Sequence, residues 1–125
     1  MKIKSICEDG ITFDNGSMLT HYHNQDCCEA VYADWGNMIA MTESEGNELK
    51  LSDYDFFDNI LDSVVPIKRL GFYLVTMQGL CIRVDCYDIQ NGYYSSNLEL
   101  CHTSGKENKT YKNISETVQS TEFLD

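Results

Sequence analysis

The strongest constraint on the fold is a pair of apolar runs, Leu70 to Met77 and Leu80 to Tyr87, rich in β-branched and aromatic residues and separated by Gln78-Gly79. Such residues pack well on a pleated surface, and a glycine supplies the positive φ that a tight turn needs, so the spacing predicts a β-hairpin. A second sheet signal opens the chain. Residues 2–7 alternate polar and apolar, Asp9-Gly10 marks a turn, and Ile11 to Phe13 continues as a short strand. Asp14-Asn15-Gly16-Ser17 turns the chain again into Met18 to His23, which gives a three-stranded meander. Asn91-Gly92 marks a later turn, and Ser96 to His102 alternates well enough for a further strand.

Helix is expected between these sheet segments. Asp26 can cap a helix with Glu29 three residues on, and Cys27, Val31, Trp35 and Met38 recur at helical spacing, with an end near Met41 to Glu43. Val31 and Tyr32 also suit a strand, so the run from Glu29 to Trp35 has that alternative reading. In residues 43–63, Phe57, Ile60 and Leu61 fit one helical face, or a short strand at Glu48 to Leu51 precedes a helical turn. The expected fold class is α+β: an antiparallel sheet of about five to six strands with one or two helices packed on it. Residues 1–103 form the domain, and 104–125 are a polar tail, partly disordered or docked through Val118, Phe123 and Leu124.

Length and charge bound the function. The 125 residues suit one domain, and no uncharged apolar run reaches the length of a membrane span. With no export signal, the six cysteines are expected to stay reduced in the cytoplasm. The net charge of −11 opposes direct contact with nucleic acid or a membrane surface. Residues 1–65 carry thirteen acids against three bases, and residues 66–125 seven against six, so the acidity belongs to the front half. Its densest part holds Glu43, Glu45, Glu48, Asp53, Asp55, Asp58 and Asp62, relieved only by Lys50. Carboxylates fixed in space there can imitate phosphates and occupy a nucleic-acid channel, whereas an ordinary solvated face would merely keep the protein in solution.

Other chemistry-bearing residues are fewer. His21, His23, Asp26, Cys27 and Cys28 are zinc-compatible types within eight residues. Adjacent cysteines diverge by about 100° on a helix, so packed thiols beside surface histidines are the favoured reading, and no metal or other cofactor is expected. A thiolate at a helix start, with His21 or His23 as base, would be nucleophilic, but Glu29 and Asp34 oppose its charge. Cys81 and Cys86 fall in strands and fill the core. Gln90, Asn91, Tyr93 and Tyr94 form a loop that can offer amides and aromatic faces to a ligand, or pack a sheet edge. The chain contains no Walker loop, dinucleotide glycine pattern, HExxH or nucleophile elbow, so no enzyme is expected.

Two stretches stand out as a pair, His21 to Asp34 (HYHNQDCCEAVYAD) and Val84 to Leu100 (VDCYDIQNGYYSSNLEL). Through Gln25-Asp26-Cys27-Cys28-Glu29, Cys86-Tyr87 and Gln90-Asn91-Gly92-Tyr93-Tyr94-Ser95, the chain resembles a family of small proteins from phages and prophage-bearing bacteria. The resemblance runs from about Ile6 to Leu100, and the acidic stretch at 43–62 and the tail depart from it. It implies context rather than chemistry: small acidic phage proteins often inhibit host defence systems such as CRISPR nucleases or restriction enzymes. The first expectation is therefore a phage- or mobile-element-encoded inhibitor that binds the basic groove of a host defence protein. The alternative is a module or sponge for a nucleotide signal, using Lys68, Arg69 and Arg83 as its cations. A zinc or thiol protein comes third.

Overall fold

The computed structural model describes residues 1–22, 30–41, 53–90, 98–105, 108–115 and 119–122. Two sheets account for most of them. The first has the order β1 (Ile3–Cys7), β2 (Gly10–Phe13), β3 (Met18–Tyr22), β9 (Glu99–Ser104), β10 (Asn108–Asn113), all antiparallel. The second is built around the ten-residue β8 (Cys81–Gln90). β7 (Gly71–Val75) pairs with its first half, and β6 (Val64–Ile67) lies outside β7. β4 (Ala30–Ala33) and β5 (Ile39–Met41) both run antiparallel to β8, while β11 (Gln119–Glu122) joins its far end as a parallel strand.

The hairpin and the meander form as their sequences require. Val75 faces Cys81 and Leu74 faces Ile82 across the Gln78-Gly79 turn, and Gly79 takes a φ of 82°. Period-two alternation then buries Phe72 and Leu74 on one strand and Ile82, Val84 and Cys86 on the other. These residues share one core with Ile11, Phe13, Leu19 and Leu100 of the first sheet and with Leu98 just before β9, so the two sheets close on each other as a sandwich. Gly71 makes the start of β7 possible: a Cβ built there would lie 2.0 Å from the Val84 carbonyl oxygen. Gly71→Ala is expected to cost about 1–3 kcal/mol, as overpacking against backbone does. Urea denaturation measures it, and an unchanged midpoint would show that β7 and β8 separate at no cost.

The α+β expectation is corrected: the protein is mostly β. No α-helix occurs among the described residues, and helical geometry is confined to 3-10 turns such as Trp35–Asn37 and Ile60–Ser63. The helix expected from Asp26 to about Met41 is replaced, where it is described, by β4, the Trp35 turn and β5. Over so short a run the apolar spacing also fits a period of two, because Ala33 and Trp35 are buried while Tyr32 between Val31 and Ala33 is half-exposed. Pairing with β8 then decides in favour of strand, since Tyr32 faces Tyr87 and their rings lie 5.6 Å apart. The helical face expected at Phe57, Ile60 and Leu61 shrinks to the Ile60–Ser63 turn, because Val64, Val65 and Ile67 carry the chain straight into β6.

The sheets also exceed the five to six strands expected, with eleven among the described residues. Two of these come from beyond Thr103: β10 pairs with β9 from Asn108↔Ser104 to Asn113↔Glu99, and Ile114, fully buried, anchors its end. The edge position explains why its sequence, NKTYKN, is polar. Val118, Phe123 and Leu124 lie outside the described residues. No helix among the described residues is long and apolar enough to cross a membrane.

Candidate functional site

Residues 53–63 connect the edge of the second sheet to the start of the chain, and they alternate between anchor and display. Tyr54, Phe56 and Ile60 point into the core, with exposures of 4%, 0% and 0%. Phe56 packs on Phe13 with ring centroids 5.7 Å apart, and its backbone N–H donates to the Met1 carbonyl at 2.7 Å. One residue earlier, the Asp55 carbonyl accepts from Met77 N–H at 2.8 Å, and the Asp55 carboxylate accepts from the Gln78 side-chain amide at 3.3 Å. The residues between these anchors are driven outward. Asp53, Asp58 and Asp62 are exposed, and so is Phe57 at 44%.

The resulting ridge separates two cavities. The first, of about 500 Å³, is lined by Phe57, Ser63, Val65 and Val75 together with Asp58, Asn59 and Asp62. The second, of about 790 Å³, shares those last three residues and adds Leu61, Asn15, His102, Ser104, Thr110, Tyr111 and Lys112. The acids of the ridge form no ion pair among the described residues. The ion pair found among the described residues joins Arg83 Nε to Asp85 Oδ1 at 3.2 Å, on β8, and involves none of Asp53, Asp55, Asp58 or Asp62. His102 lies opposite the ridge on β9. Burial pushes its pKa below the ordinary histidine value, because desolvation disfavours the charged ring.

A third cavity, of about 560 Å³, lies between the end of β1 with the turn after it and the Trp35 turn, lined by Cys7, Glu8, Asp9, His21, Tyr32, Asp34 and Trp35 among others. His21 Nδ1 accepts a hydrogen bond from the Trp35 indole N–H at 2.8 Å, and the two ring planes differ by only 15°, so the rings meet edge to edge and nearly coplanar. That bond places the proton of a neutral His21 on Nε2 and uses the Nδ1 lone pair that a metal would need. His23, Asp26, Cys27 and Cys28 lie outside the described residues, as do Glu43, Glu45, Glu48, Asn91, Tyr93 and Tyr94. Gln90 ends β8. Among the described residues, no three His, Cys, Asp or Glu side chains converge as a metal site.

Of the seven acids singled out in the sequence, four lie among the described residues, and Asp58 and Asp62 line both cavities beside the ridge. Lys68 and Arg69 are exposed in the turn between β6 and β7, whereas Arg83 is held by Asp85. Tyr87, whose hydroxyl approaches Asp85 at 3.5 Å, has its pKa raised by burial and then by the charges of Asp85 and Asp34. Sequence reasoning missed His102, Thr110 and Lys112. The alternation of Leu98, Leu100 and His102 carried the signal for the first of these; the polar run of β10 carried none.

Fold and site together define a small β-sandwich with an anchored acidic ridge. Over residues 2–100 the chain matches the family described as Domain of unknown function (DUF7448), and it belongs to that family. No curated protein and no solved structure matches it.

Proposed function

We propose that this protein is a non-enzymatic binding protein that presents its acidic ridge to a positively charged groove of a nucleic-acid-handling partner, taking the place of phosphates there. The observation that carries this reading is the combination of exposure and anchorage at Asp53, Asp58 and Asp62: carboxylates without ion-pair partners among the described residues, on a backbone pinned by Tyr54, Phe56 and Ile60. A mimic of a polyanion must hold its charges outward without neutralising them internally, because only then does the partner's basic groove supply the missing counter-charge. Phe57 and Val65, each 44% exposed beside these acids, add apolar contact of the kind that anchors an interface. Glu43, Glu45 and Glu48 extend the same acidic stretch in sequence. The resemblance to phage and prophage proteins supports placing the protein in a host cell's cytoplasm and its partner among host defence nucleases, of CRISPR effector or restriction type.

The test compares the wild-type chain with an Asp53→Lys/Asp58→Lys/Asp62→Lys variant, both immobilised and exposed to host lysate at low and high salt. The expected result is a basic nuclease retained at low salt and released at high salt, with affinity for the triple variant reduced about tenfold or more. Equal retention by wild type and variant overturns the reading. Asp55 is left unchanged because its carboxylate holds Gln78.

A further inference from the structure

The first sheet turns Leu19, Leu100 and His102 toward the core, so strand alternation sends the residues between them to its outer face. The register lays those residues out in rows. Thr20, Cys101 and Tyr111 are cross-strand partners in a central row. Met18, Thr103 and Lys109 form the row on one side of it, and Tyr22, Glu99 and Asn113 the row on the other. Met18, Tyr22 and Tyr111 are 37%, 54% and 55% exposed, although each is a large apolar or aromatic side chain. The pKa of the Tyr111 hydroxyl is raised chiefly by Cys101, and further by partial desolvation, Glu99 and Tyr22, so these four side chains sit together. Grouped apolar side chains on an unpacked sheet face mark an interaction surface.

We infer that this face binds a second copy of the chain, face to face about a two-fold axis along the Thr20–Cys101–Tyr111 row. Charge favours that occupant. Two chains of net charge −11 repel one another, but the three rows carry one lysine and one glutamate and are neutral together. The axis also makes the rows self-complementary, because it exchanges the two outer ones. Tyr111 then meets Tyr111 of the second copy on the axis, and Tyr22 meets the second copy's Met18, a favourable sulfur–aromatic contact. Glu99 arrives one strand away from the second copy's Lys109, and no like charges oppose each other. Strand addition at the free edge of β10 is a poorer route, since Lys109 and Lys112 guard that edge. A face of five strands, each about five residues long, spans roughly 24 by 17 Å. That is about half of the roughly 800 Å² per partner in a standard tight interface, so the dimer is a reversible one of micromolar affinity. The inference goes beyond the acidic-ridge reading and does not depend on it. Asp53, Asp58 and Asp62 lie outside these rows, so a dimer presents two ridges.

The test measures association of the purified chain by sedimentation velocity up to millimolar concentration. A reversible dimer is expected. Tyr111→Glu, a change at an exposed side chain, should weaken it about tenfold or more, because it sets two carboxylates against each other on the axis. Lys109→Glu should weaken it about fivefold by opposing Glu99 of the second copy, and Glu99→Lys/Lys109→Glu, which exchanges the two charges, should restore it. An unchanged urea midpoint shows that each variant is folded. A monomer at every concentration overturns the inference and leaves the face to a different macromolecule. A dimer that Tyr111→Glu does not weaken, or an association that the charge exchange fails to restore, also overturns it, because the copies then meet through another surface. Capture of a basic partner by the ridge is read separately: its loss in the ridge triple variant with the dimer intact supports both readings, and its absence beside an intact dimer defeats the ridge reading alone.

Discussion

Trp35→Ala is expected to lower the stability of the fold by about 3–5 kcal/mol, the range for removing a fully buried aromatic side chain. Trp35 is 1% exposed and stands between the two sheets. Its ring meets Phe72 of β7 edge-on, with centroids 5.7 Å apart, and lies nearly coplanar with the ring of His21 of β3, centroids 6.4 Å apart. The indole N–H also donates to His21 Nδ1 at 2.8 Å. One side chain therefore fills the space between the sheets and ties their faces by a directed bond. Trp35→Phe separates these two contributions: it keeps most of the apolar volume but removes the donor, and should cost about 1–2 kcal/mol. Urea denaturation of both variants measures the difference. Equal losses would mean that the hydrogen bond, rather than the packing, holds the sheets together.

Trp35 also shows where the sequence stops being legible. Its hydrophobic neighbours recur at a spacing that suits a helix and, over four residues, suits a strand equally. What decides between them is a long-range partner: the ten-residue β8 needs neighbours along its whole length, and β4 and β5 supply them on either side of the Trp35 turn. No local pattern contains that information. The β7–β8 hairpin and the β1–β3 meander were legible because turn residues and alternation lie within one short window. At β10 the opposite holds, since an edge strand with exposed side chains leaves almost no apolar trace. The candidate site divides in the same way. Asp58 and Asp62 stand out as charges in an acidic run, but the wall that faces them is built from His102, Thr110 and Lys112, about forty to fifty positions later, and only the packing of β9 and β10 brings the two together.

Phe56→Ala should cost a similar 3–5 kcal/mol, because Phe56 is fully buried against Phe13. The more informative substitution is Phe56→Leu, which conserves apolar character and is expected to cost about 1 kcal/mol, so that the protein stays folded. The ridge backbone is held to the Met1 segment at Phe56, by its N–H at 2.7 Å and its carbonyl at 2.9 Å. Loosening the side chain beneath those bonds lets Asp55, Phe57 and Asp58 sample more conformations before binding, without changing the net charge. Binding then has to order them, at roughly 1 kcal/mol or about fivefold in affinity. A protein that attracts its partner only through its overall charge would bind equally well with either side chain. A protein that copies phosphates by position would not, and its dissociation rate rather than its association rate should carry the loss, because long-range steering depends on net charge while the fit of the bound state depends on where the carboxylates are held. Stopped-flow or surface-binding kinetics of Phe56→Leu against the captured partner separate the two cases.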